Sequence, residues 1–368
     1  MNHPVTSDLN LLYTDVEDDL RASVRNLLSS RCPADAVIAM YDGDRSVVAP
    51  LWRSLSVDLG LAGLLVPESA GGAGASAREA AVVLEELGRF AAPVPFLTSS
   101  VVATTVLGGG DQELLGALAS GERTAALAVP LAATPWSFAP TVTGAGDGLS
   151  GRVTSVAGAL EADVLLVPVA VEGGVEVHAV EAAAADITPV TSLDMTRQVA
   201  DVSFDGASSR VVVAADAGEA AVHRALLVGA ALLASEQVGV AQWCLDTTVT
   251  YLKERRQFGR VVGGFQSLKH RLADLYTLVE QARAAARYAA ATLAEDDPDQ
   301  EVAASVAQAY CADVAVKAAE ECVQLHGGIG MTWEHPAHLY LKRAKADQIA
   351  FGSPGAHRAR LGELVDLR

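Results

Sequence analysis

Aromatic side chains and positive charge are both scarce in this 368-residue chain. Phe, Trp and Tyr make up 5% of the residues, and 27 Lys and Arg face 45 Asp and Glu, which gives a formal net charge of -18. Nucleic acids select basic surfaces, often with interleaved aromatic rings, and anionic membranes also attract basic segments. The composition therefore argues against nucleic acid or an anionic membrane surface as the main partner.

Cysteines are few and widely spaced, and the chain has no CxxC pair. This spacing predicts buried, reduced thiols and a cytoplasmic protein rather than a disulfide framework. The spacing of the histidines that follow the last cysteine matches no standard ligand pattern, so no metal site is predicted. The four cysteines are Cys32, Cys244, Cys311 and Cys322.

Membrane-spanning segments are not expected either. Residues 90–110 and 124–146 are uncharged, but two prolines and a Gly triplet interrupt the first, and three prolines interrupt the second. A spanning helix needs about 20 predominantly apolar residues without such breaks. The first twenty residues are polar and acidic, so we expect no signal peptide.

The chain does contain a large apolar fraction, arranged in three blocks. Hydrophobic residues make up 51% of the chain and charged residues 20%, a balance typical of packed globular proteins. Residues 1 to about 120 have helical spacing, residues 121–215 contain short β-type runs between turn signals, and residues 216–368 contain long helical patterns. The pattern predicts an α+β fold: an N-terminal helical domain, a small antiparallel β-domain and a C-terminal four-helix bundle. One predicted bundle stripe consists of Leu272, Leu275, Tyr276 and Val279.

The most distinctive local segment is "YLKERRQFGRVVGGFQSLKHRLADLY", residues 251–276. A long helix ends in a basic cluster, which is followed by Phe-Gly, a Gly-Gly turn and Gln266 at the start of the next helix. Guanidinium groups match phosphate oxygens, so Arg255 indicates an anion site. The alternative is a helix C-terminus whose cations satisfy the helix dipole.

A second segment, "CVQLHGGIGMTWEHPAHLYLKRA" at 322–344, places Gln324 at the end of an apolar helix. Gly327, Gly328 and Gly330 follow, and glycines let a ligand approach the backbone closely. A plain glycine helix cap explains the same pattern.

Together, "RRQFG" with its downstream "FQ" and then "QLHGGIG" resemble the acyl-CoA dehydrogenase family of flavoproteins. "LGLAGLLVPESAGGAG", "VLEELGRF" and "SLDMTRQVADVSFDGA" resemble it as well, in the same order along the chain. The resemblance implies FAD at a subunit interface, an acyl-CoA substrate and an electron-transfer flavoprotein as electron acceptor. Arg255 would bind the pyrophosphate of a neighbouring subunit's FAD. Gln324, with Gly327 and Gly328, would contact its adenosine end. The implied FAD contacts are Arg255, Phe258, Gln266, Gln324, Gly327 and Gly328.

The middle domain departs from the family pattern. Where the family has a Thr-Glu-Pro-Gly-type loop that contacts flavin and thioester, this chain has "AVPLAATPWSFAP", without the Glu and the loop's Gly and Ser donors. Where the family has Trp and Thr against the flavin, "GRVTSVAGA" has Ser155 and Ala157. The part of the flavin site that the chain would build for itself is therefore expected to be eroded.

The catalytic base is also missing from its expected positions. The family removes the proton alpha to the thioester carbonyl with a Glu, held either in a Tyr-Glu-Gly-Thr corner or on the long bundle helix. Those positions correspond to Phe351 and Gly229 here. Glu236 lies about two turns further along the same helix, and an interhelical or surface charge is its alternative role. No catalytic residue is predicted in this chain.

One hypothesis explains both the retained and the lost residues. The chain would be the non-catalytic subunit of a heteromeric acyl-CoA dehydrogenase, resembling the α2β2 enzymes of actinobacterial steroid side-chain degradation. It would lend FAD contacts to a homologous subunit that supplies the flavin cradle and the base. Two alternatives stay open: a homomeric dehydrogenase with its base at Glu236 or Asp347, and a flavin-free scaffold on the same fold.

Overall fold

The computed structural model describes residues 9–108, 110–145 and 148–367 and has the predicted order of helices, sheet and helices. The α+β fold class is confirmed. The expectation of no signal peptide rests partly on residues 1–8, which lie outside the described residues.

In the described part of the chain before the sheet there are six α-helices, and capping side chains begin the two longest of them. Thr14 and Glu17 form a reciprocal capping box at the start of α1, and Ser76 and Glu79 do the same for α4. A π-helix, Phe96–Ala103, continues directly into α5. The helices are α1 (Asp15–Arg31), α2 (Ala34–Ala39), α3 (Val48–Arg53), α4 (Ala77–Arg89), α5 (Thr104–Leu107) and α6 (Gln112–Ala119).

The central sheet has the order β6-β7-β3-β2-β4-β5-β8, with β1 beside β4. Most neighbours are antiparallel as predicted, but β1–β4 and β2–β4 are parallel. Parallel neighbours need long connections, and long segments separate these strands in the chain. The strands are β1 (Ala125–Leu127), β2 (Val142–Ala145), β3 (Gly148–Ala157), β4 (Val164–Val171), β5 (Gly174–Glu181), β6 (Asp186–Val190), β7 (Val199–Ala207) and β8 (Arg210–Val213).

Three long helices form the C-terminal bundle, and two shorter ones pack against it. Most of the predicted stripe faces the core: Leu275 and Val279 are buried, whereas Tyr276 is 56% exposed and does not belong to it. A short hairpin of β9 (Arg256–Gln257) and β10 (Arg260–Val261) connects the first two long helices. The helices are α7 (Ala215–Glu254), α8 (Gln266–Ala294), α9 (Gln300–His326), α10 (Ala337–Asp347) and α11 (Pro354–Leu364).

Helix α7 is long and apolar enough, by length and composition alone, to cross a membrane. In its most apolar 18-residue window, 94% of the residues are buried inside the protein. The helix occupies the centre of the bundle, where α4, α8 and α9 pack around it. A core helix of a packed domain has this same composition.

Glycines bring α4 and α7 into backbone contact. A Cβ at Gly88 of α4 would lie 2.1 Å from the Glu236 carbonyl oxygen, and a Cβ at Gly239 of α7 would lie 2.0 Å from that of Glu85. Neither position has room for a methyl group. The close crossing therefore depends on both glycines.

We expect Gly239→Ala to lower the free energy of unfolding by about 1–3 kcal/mol, because overpacking forces the two helices apart. Gly362, in α11, is a matched control, because a methyl group added there would meet no atom within 4 Å. Gly362→Ala should raise stability by about 0.5–1 kcal/mol through helix propensity. Urea unfolding measures both changes, and equal effects would contradict the crossing.

Candidate functional site

The basic residues at the end of α7 lead into a tight hairpin. Arg255 leaves the helix in an extended conformation, and its carbonyl oxygen accepts a hydrogen bond from the Val262 N–H at 2.8 Å. Phe258 (φ 54°) and Gly259 (φ 73°) form the two-residue turn of the hairpin. Two central residues with positive φ define the turn type that matches strand twist, but a bulky side chain there is strained.

Phe258 is strained and also 88% exposed. Its ring packs perpendicular to the Phe265 ring, with centroids 6.2 Å apart, and the Arg260 guanidinium lies 3.7 Å from the Phe265 ring centroid. Strain and exposure of one aromatic residue favour a role in contacting another molecule.

The second motif lies beside this hairpin, at the end of α9. Gly327 caps the helix with φ 64° and ψ -137°, so the predicted helix-cap role is real for this residue. A Cβ on Gly327 or Gly328 would meet no atom within 4 Å, whereas one on Gly330 would lie 2.5 Å from the Val323 carbonyl oxygen. Gly330 therefore serves packing, and the other two present open backbone.

The two motifs together form one groove with a volume of about 550 Å³. Four of the six predicted site residues line it: Arg255, Gln324, Gly327 and Gly328. Phe258 and Gln266 do not line it; they stand at the hairpin tip and at the start of α8. The remaining lining residues are Tyr251, Gln257, Val262, Leu268, Arg271, Leu325, His326 and Ile329.

The two arginines that line the groove differ in their ion pairs. Arg271 pairs with Glu321 at 2.5 Å, and Lys317 also bonds that carboxylate. Arg255 is exposed, and no ion pair joins it to another described residue. Arg255 is therefore available to an anionic ligand, such as a phosphate.

The two positions where the family places its catalytic Glu lie against each other. A Cβ at Gly229 would lie 2.9 Å from Phe351 Cζ and 3.1 Å from Val102 Cγ2. Phe351 is 5% exposed and adopts φ 54°. Its ring occupies the space above Gly229, so neither position offers a carboxylate.

The altered β-domain loop packs on the same corner. The Phe351 N–H donates to the Leu131 carbonyl at 2.8 Å, and the Leu131 N–H donates to the Ser155 carbonyl at 2.9 Å. His357 Nε2 donates to the Phe351 carbonyl at 3.0 Å, and the Trp136 ring meets the His357 ring edge-on at 5.0 Å. Loop and corner are thus held together by hydrogen bonds and aromatic packing.

The space between these elements is small. The cavity measures about 30 Å³, room for a few water molecules and far too little for a three-ring flavin. Ala157 lines it, and Ser155, at a β-bulge, donates its N–H to Asp201 at 2.9 Å. The residues in place of the family's Trp and Thr therefore serve the β-domain's own packing. The remaining lining residues are Leu97, Thr98, Val102, Leu127, Val129, Pro130, Leu131, Arg197, Leu226 and Phe351.

Glu236 and Asp347, the candidates for a relocated base, belong to a buried ion cluster. Glu236 Oε1 accepts from Arg197 at 2.6 Å and from Arg343 at 2.5 Å, and Asp347 pairs with Arg197. Arg343 also lies 2.8 Å from Asp194. The cluster holds three carboxylates and two guanidinium groups, and four of the five residues are at most 1% exposed. Both candidate carboxylates therefore have structural partners.

Sequence reasoning missed the partners in this cluster. Asp194 and Arg197 appeared in the "DMTR" segment, and Arg343 in a charged helical run, without any sign that they meet. Helical spacing is the available signal, because Arg343 lies four and three residues after the buried Leu339 and Tyr340 and so shares their face of the helix.

The cysteines are free and buried, as predicted. Among the described residues, no group of three or more His, Cys, Asp or Glu side chains is arranged to hold a metal ion. His326 and Cys322 lie together beneath the groove, His335 bonds the Ala337 N–H at 3.2 Å, and His338 packs on Trp333.

Comparison with known proteins agrees with this architecture. Residues 14–122 match the sequence profile "Acyl-CoA dehydrogenase, N-terminal domain" and residues 216–365 match "Acyl-CoA dehydrogenase, C-terminal domain". The chain belongs to the acyl-CoA dehydrogenase family. Members of this family are FAD-dependent flavoprotein oxidoreductases.

Several mycobacterial proteins are similar over most of this acyl-CoA dehydrogenase chain. Acyl-CoA dehydrogenase IpdE2 of Mycolicibacterium smegmatis is 34% identical over 93% of this chain and 96% of its own length. Acyl-CoA dehydrogenase FadE34 of Mycobacterium tuberculosis is 36% identical over 94% of this chain, which spans 47% of that protein.

Two solved complexes share the fold. The ChsE4–ChsE5 complex from Mycobacterium tuberculosis has a chain with TM-score 0.85 and 27% identity, covering 98% of this chain and 99% of that one. The steroid acyl-CoA dehydrogenase Tcur3481–Tcur3483 has a chain with TM-score 0.83 and 30% identity, covering 96% and 98%.

The residues of this acyl-CoA dehydrogenase chain fit one half of the family's cofactor. The groove suits the ADP half of FAD, because it combines the Arg255 cation, which has no ion pair among the described residues, with open backbone at Gly327 and Gly328. The cavity beneath Phe351 does not fit the flavin ring. The described residues therefore fit the ADP half of FAD at the groove and leave no room for the flavin ring beneath Phe351.

The ion cluster predicts a pH dependence of stability. Burial raises the pKa of Asp347 to about 7 in spite of its Arg197 partner, and its Oδ2 has no hydrogen-bond partner among the described residues. In the unfolded chain the carboxyl group titrates near pH 4, so between about pH 4 and 7 the folded state holds a proton that the unfolded state has lost. The contribution of Asp347 to the free energy of unfolding is therefore fully present below pH 4 and is lost as the pH rises to 7.

We expect Asp347→Asn to remove that loss, which is on the order of 4 kcal/mol across the window. The measurement is urea unfolding at intervals from pH 4 to pH 8 for both proteins. The difference between them isolates Asp347, because carboxylates with lowered pKa, such as Glu17 and Glu85, are common to both. Parallel stability curves would contradict the assignment.

Proposed function

We propose that this chain is the non-catalytic subunit of a heteromeric acyl-CoA dehydrogenase. It contributes the ADP-half FAD contacts to a homologous partner subunit, and the partner contributes the flavin cradle and the catalytic Glu. The observation that carries the proposal is the contrast between an open groove of about 550 Å³ and a cavity of about 30 Å³ closed by Phe351 on Gly229.

The predicted contacts in the groove and the exposed hairpin tip have separate roles in this proposal. Arg255 neutralises the pyrophosphate with its fork of N–H donors, which matches two phosphate oxygens at once. Gln324 and the open backbone at Gly327 and Gly328 receive the adenosine end. Phe258, exposed at the hairpin tip, packs against the partner and excludes water from the charged contact.

Bound FAD supplies the acceptor for the hydride that leaves the beta carbon of an acyl-CoA thioester. The residues of this chain hold the cofactor and do not contact the reacting atoms. A homodimer of this fold would form two FAD sites at its interface. The heterodimer forms one, because the second site would need a flavin cradle from this chain and that space is filled.

The relatives support the partner and substrate classes. The ChsE4–ChsE5 and Tcur3481–Tcur3483 structures are complexes of two different chains, and the second is a steroid acyl-CoA dehydrogenase. By analogy we propose a heterotetramer, a steroid side-chain CoA thioester as substrate and an electron-transfer flavoprotein as electron acceptor. A cytoplasmic location, supported by the four free buried thiols, is part of the same proposal.

The test is to express the chain alone and together with candidate acyl-CoA dehydrogenase partners from the same organism, and to measure flavin absorbance per protomer. We expect no bound FAD in the chain alone and about one FAD per pair in the complex. A flavin-loaded, active homomer would establish the homomeric alternative instead. A protein that never acquires flavin with any partner would favour the scaffold.

In the complex, Arg255→Ala should weaken FAD binding by about tenfold to a hundredfold, since a charge-assisted hydrogen bond contributes roughly 1.5–3 kcal/mol. Arg256→Ala is the matched control, because Arg256 is also exposed and cationic but does not line the groove. FAD titration of the apo-complex by flavin fluorescence gives both dissociation constants. Equal values for the two variants would show that Arg255 is not the anion contact.

A further inference from the structure

Large apolar side chains are exposed at every second position of the segment that follows α9. Ile329 is 41% exposed, Met331 82% and Trp333 60%. Leu193, in the segment before β7, is 59% exposed and is joined to them through Tyr41, whose hydroxyl lies 3.4 Å from the Leu193 carbonyl oxygen. Exposed apolar residues normally occur singly, and a contiguous group of them marks an interaction site. We call Met331, Trp333, Leu193 and Tyr41 the Trp333 patch.

The exposed Trp333 ring is held in one orientation. It packs edge-on against the Tyr41 ring, with centroids 5.6 Å apart, and against the His338 ring at 4.6 Å. Lys342 Nζ lies 3.9 Å from the centroids of both the Tyr41 and the Trp333 rings, and this cation–π contact clamps them together. A ring that is already ordered loses little conformational entropy when another molecule covers it.

The Trp333 patch is continuous with the groove. The short 3-10 helix Gly327–Met331 lines the groove with its first three residues and ends in the patch. The Thr332 N–H donates to the Ile329 carbonyl oxygen at 3.1 Å, and the Thr332 hydroxyl donates to the same oxygen at 2.8 Å. These bonds fix the turn that leads to Trp333. A subunit that brings its FAD into the groove therefore lies against the segment that carries the patch.

We propose that the Trp333 patch is the docking surface for the homologous partner subunit and that Trp333 is its central anchor. The inference rests on the proposed function and adds to it the contact that recognises the partner, which is separate from the FAD contacts. Aromatic residues and Met are enriched in the centres of protein interfaces, and a buried Trp often carries a large share of the binding energy. The net charge of -18 disfavours an anionic membrane and a second copy of this chain as the occupant, because both would be repelled.

In the heteromer, Trp333→Ala should raise the dissociation constant between the subunits by about tenfold to a hundredfold, the size of effect expected for an interface anchor. Tyr276→Ala is the matched control, because Tyr276 is also an exposed aromatic residue, at 56%, but lies on α8 outside the patch. Mass photometry of the purified heteromer after serial dilution gives both dissociation constants.

Met331→Asp is a second variant that does not depend on the packing of the Trp333 ring. Met331 is 82% exposed, so a carboxylate there leaves folding unchanged, which circular dichroism with a melting curve checks. In the complex the carboxylate would be covered by an apolar contact, so the dissociation constant should rise by at least about tenfold.

FAD affinity separates this inference from the proposed function. With the heteromer held above its dissociation constant, Trp333→Ala should change FAD affinity by less than about threefold, since the anchor and the cation are independent sites. Parent-like assembly of both Trp333→Ala and Met331→Asp, with FAD affinity lost in Arg255→Ala, would overturn the inference and leave the proposed function intact. Absence of a heteromer with every homologous partner would overturn both. Self-association of this chain alone that Trp333→Ala abolishes would assign the patch to a second copy and overturn the inference.

Discussion

The buried ion cluster joins three separate parts of the chain. Asp194 and Arg197 come from the segment before β7, Glu236 from α7, and Arg343 and Asp347 from α10. Buried charges are tolerated only when paired, and removing one member of such a group typically costs about 3–5 kcal/mol. The cluster therefore holds the sheet domain in place against the bundle. Because α10 belongs to the cluster, the cluster also fixes the position of the corner that follows α10.

The corner is also held through its backbone. Gln237 and Gln308 each donate to the Asp347 carbonyl at 3.2 Å, and Gln308 donates to the Ala350 carbonyl at 2.9 Å. Phe351 follows directly and is placed over Gly229. The groove at the far ends of α7 and α9 depends on none of these contacts, so it retains its open shape while the cavity is closed. Groove and cavity are therefore shaped by different residues of one fold.

The sequence predicted much of the fold because its patterns are local. Long helices, the strands β1, β3, β4, β5 and β7, and the α, β, α order all follow from periodicity and turn residues. β6 and β8 are short edge strands, and β6 contains Pro189, which an edge tolerates and which weakens a strand pattern.

The candidate site was predictable only in part. The family resemblance identified the groove residues, and the structure brings four of them together. The pairing of Glu236 with two arginines depends on contacts between segments far apart in the chain. No local pattern encodes such contacts.

The contact between Phe351 and Gly229 also limits how such a protein can change over generations. An acidic side chain cannot enter at Gly229 while the ring is present. Phe351→Glu would place a carboxylate in the corner, but the β-domain loop would still close the cavity of about 30 Å³ to the flavin ring. In the proposed heteromer, a return to self-sufficient chemistry thus requires a reopened loop as well as a new carboxylate, so the proposed division of labour between subunits is hard to reverse.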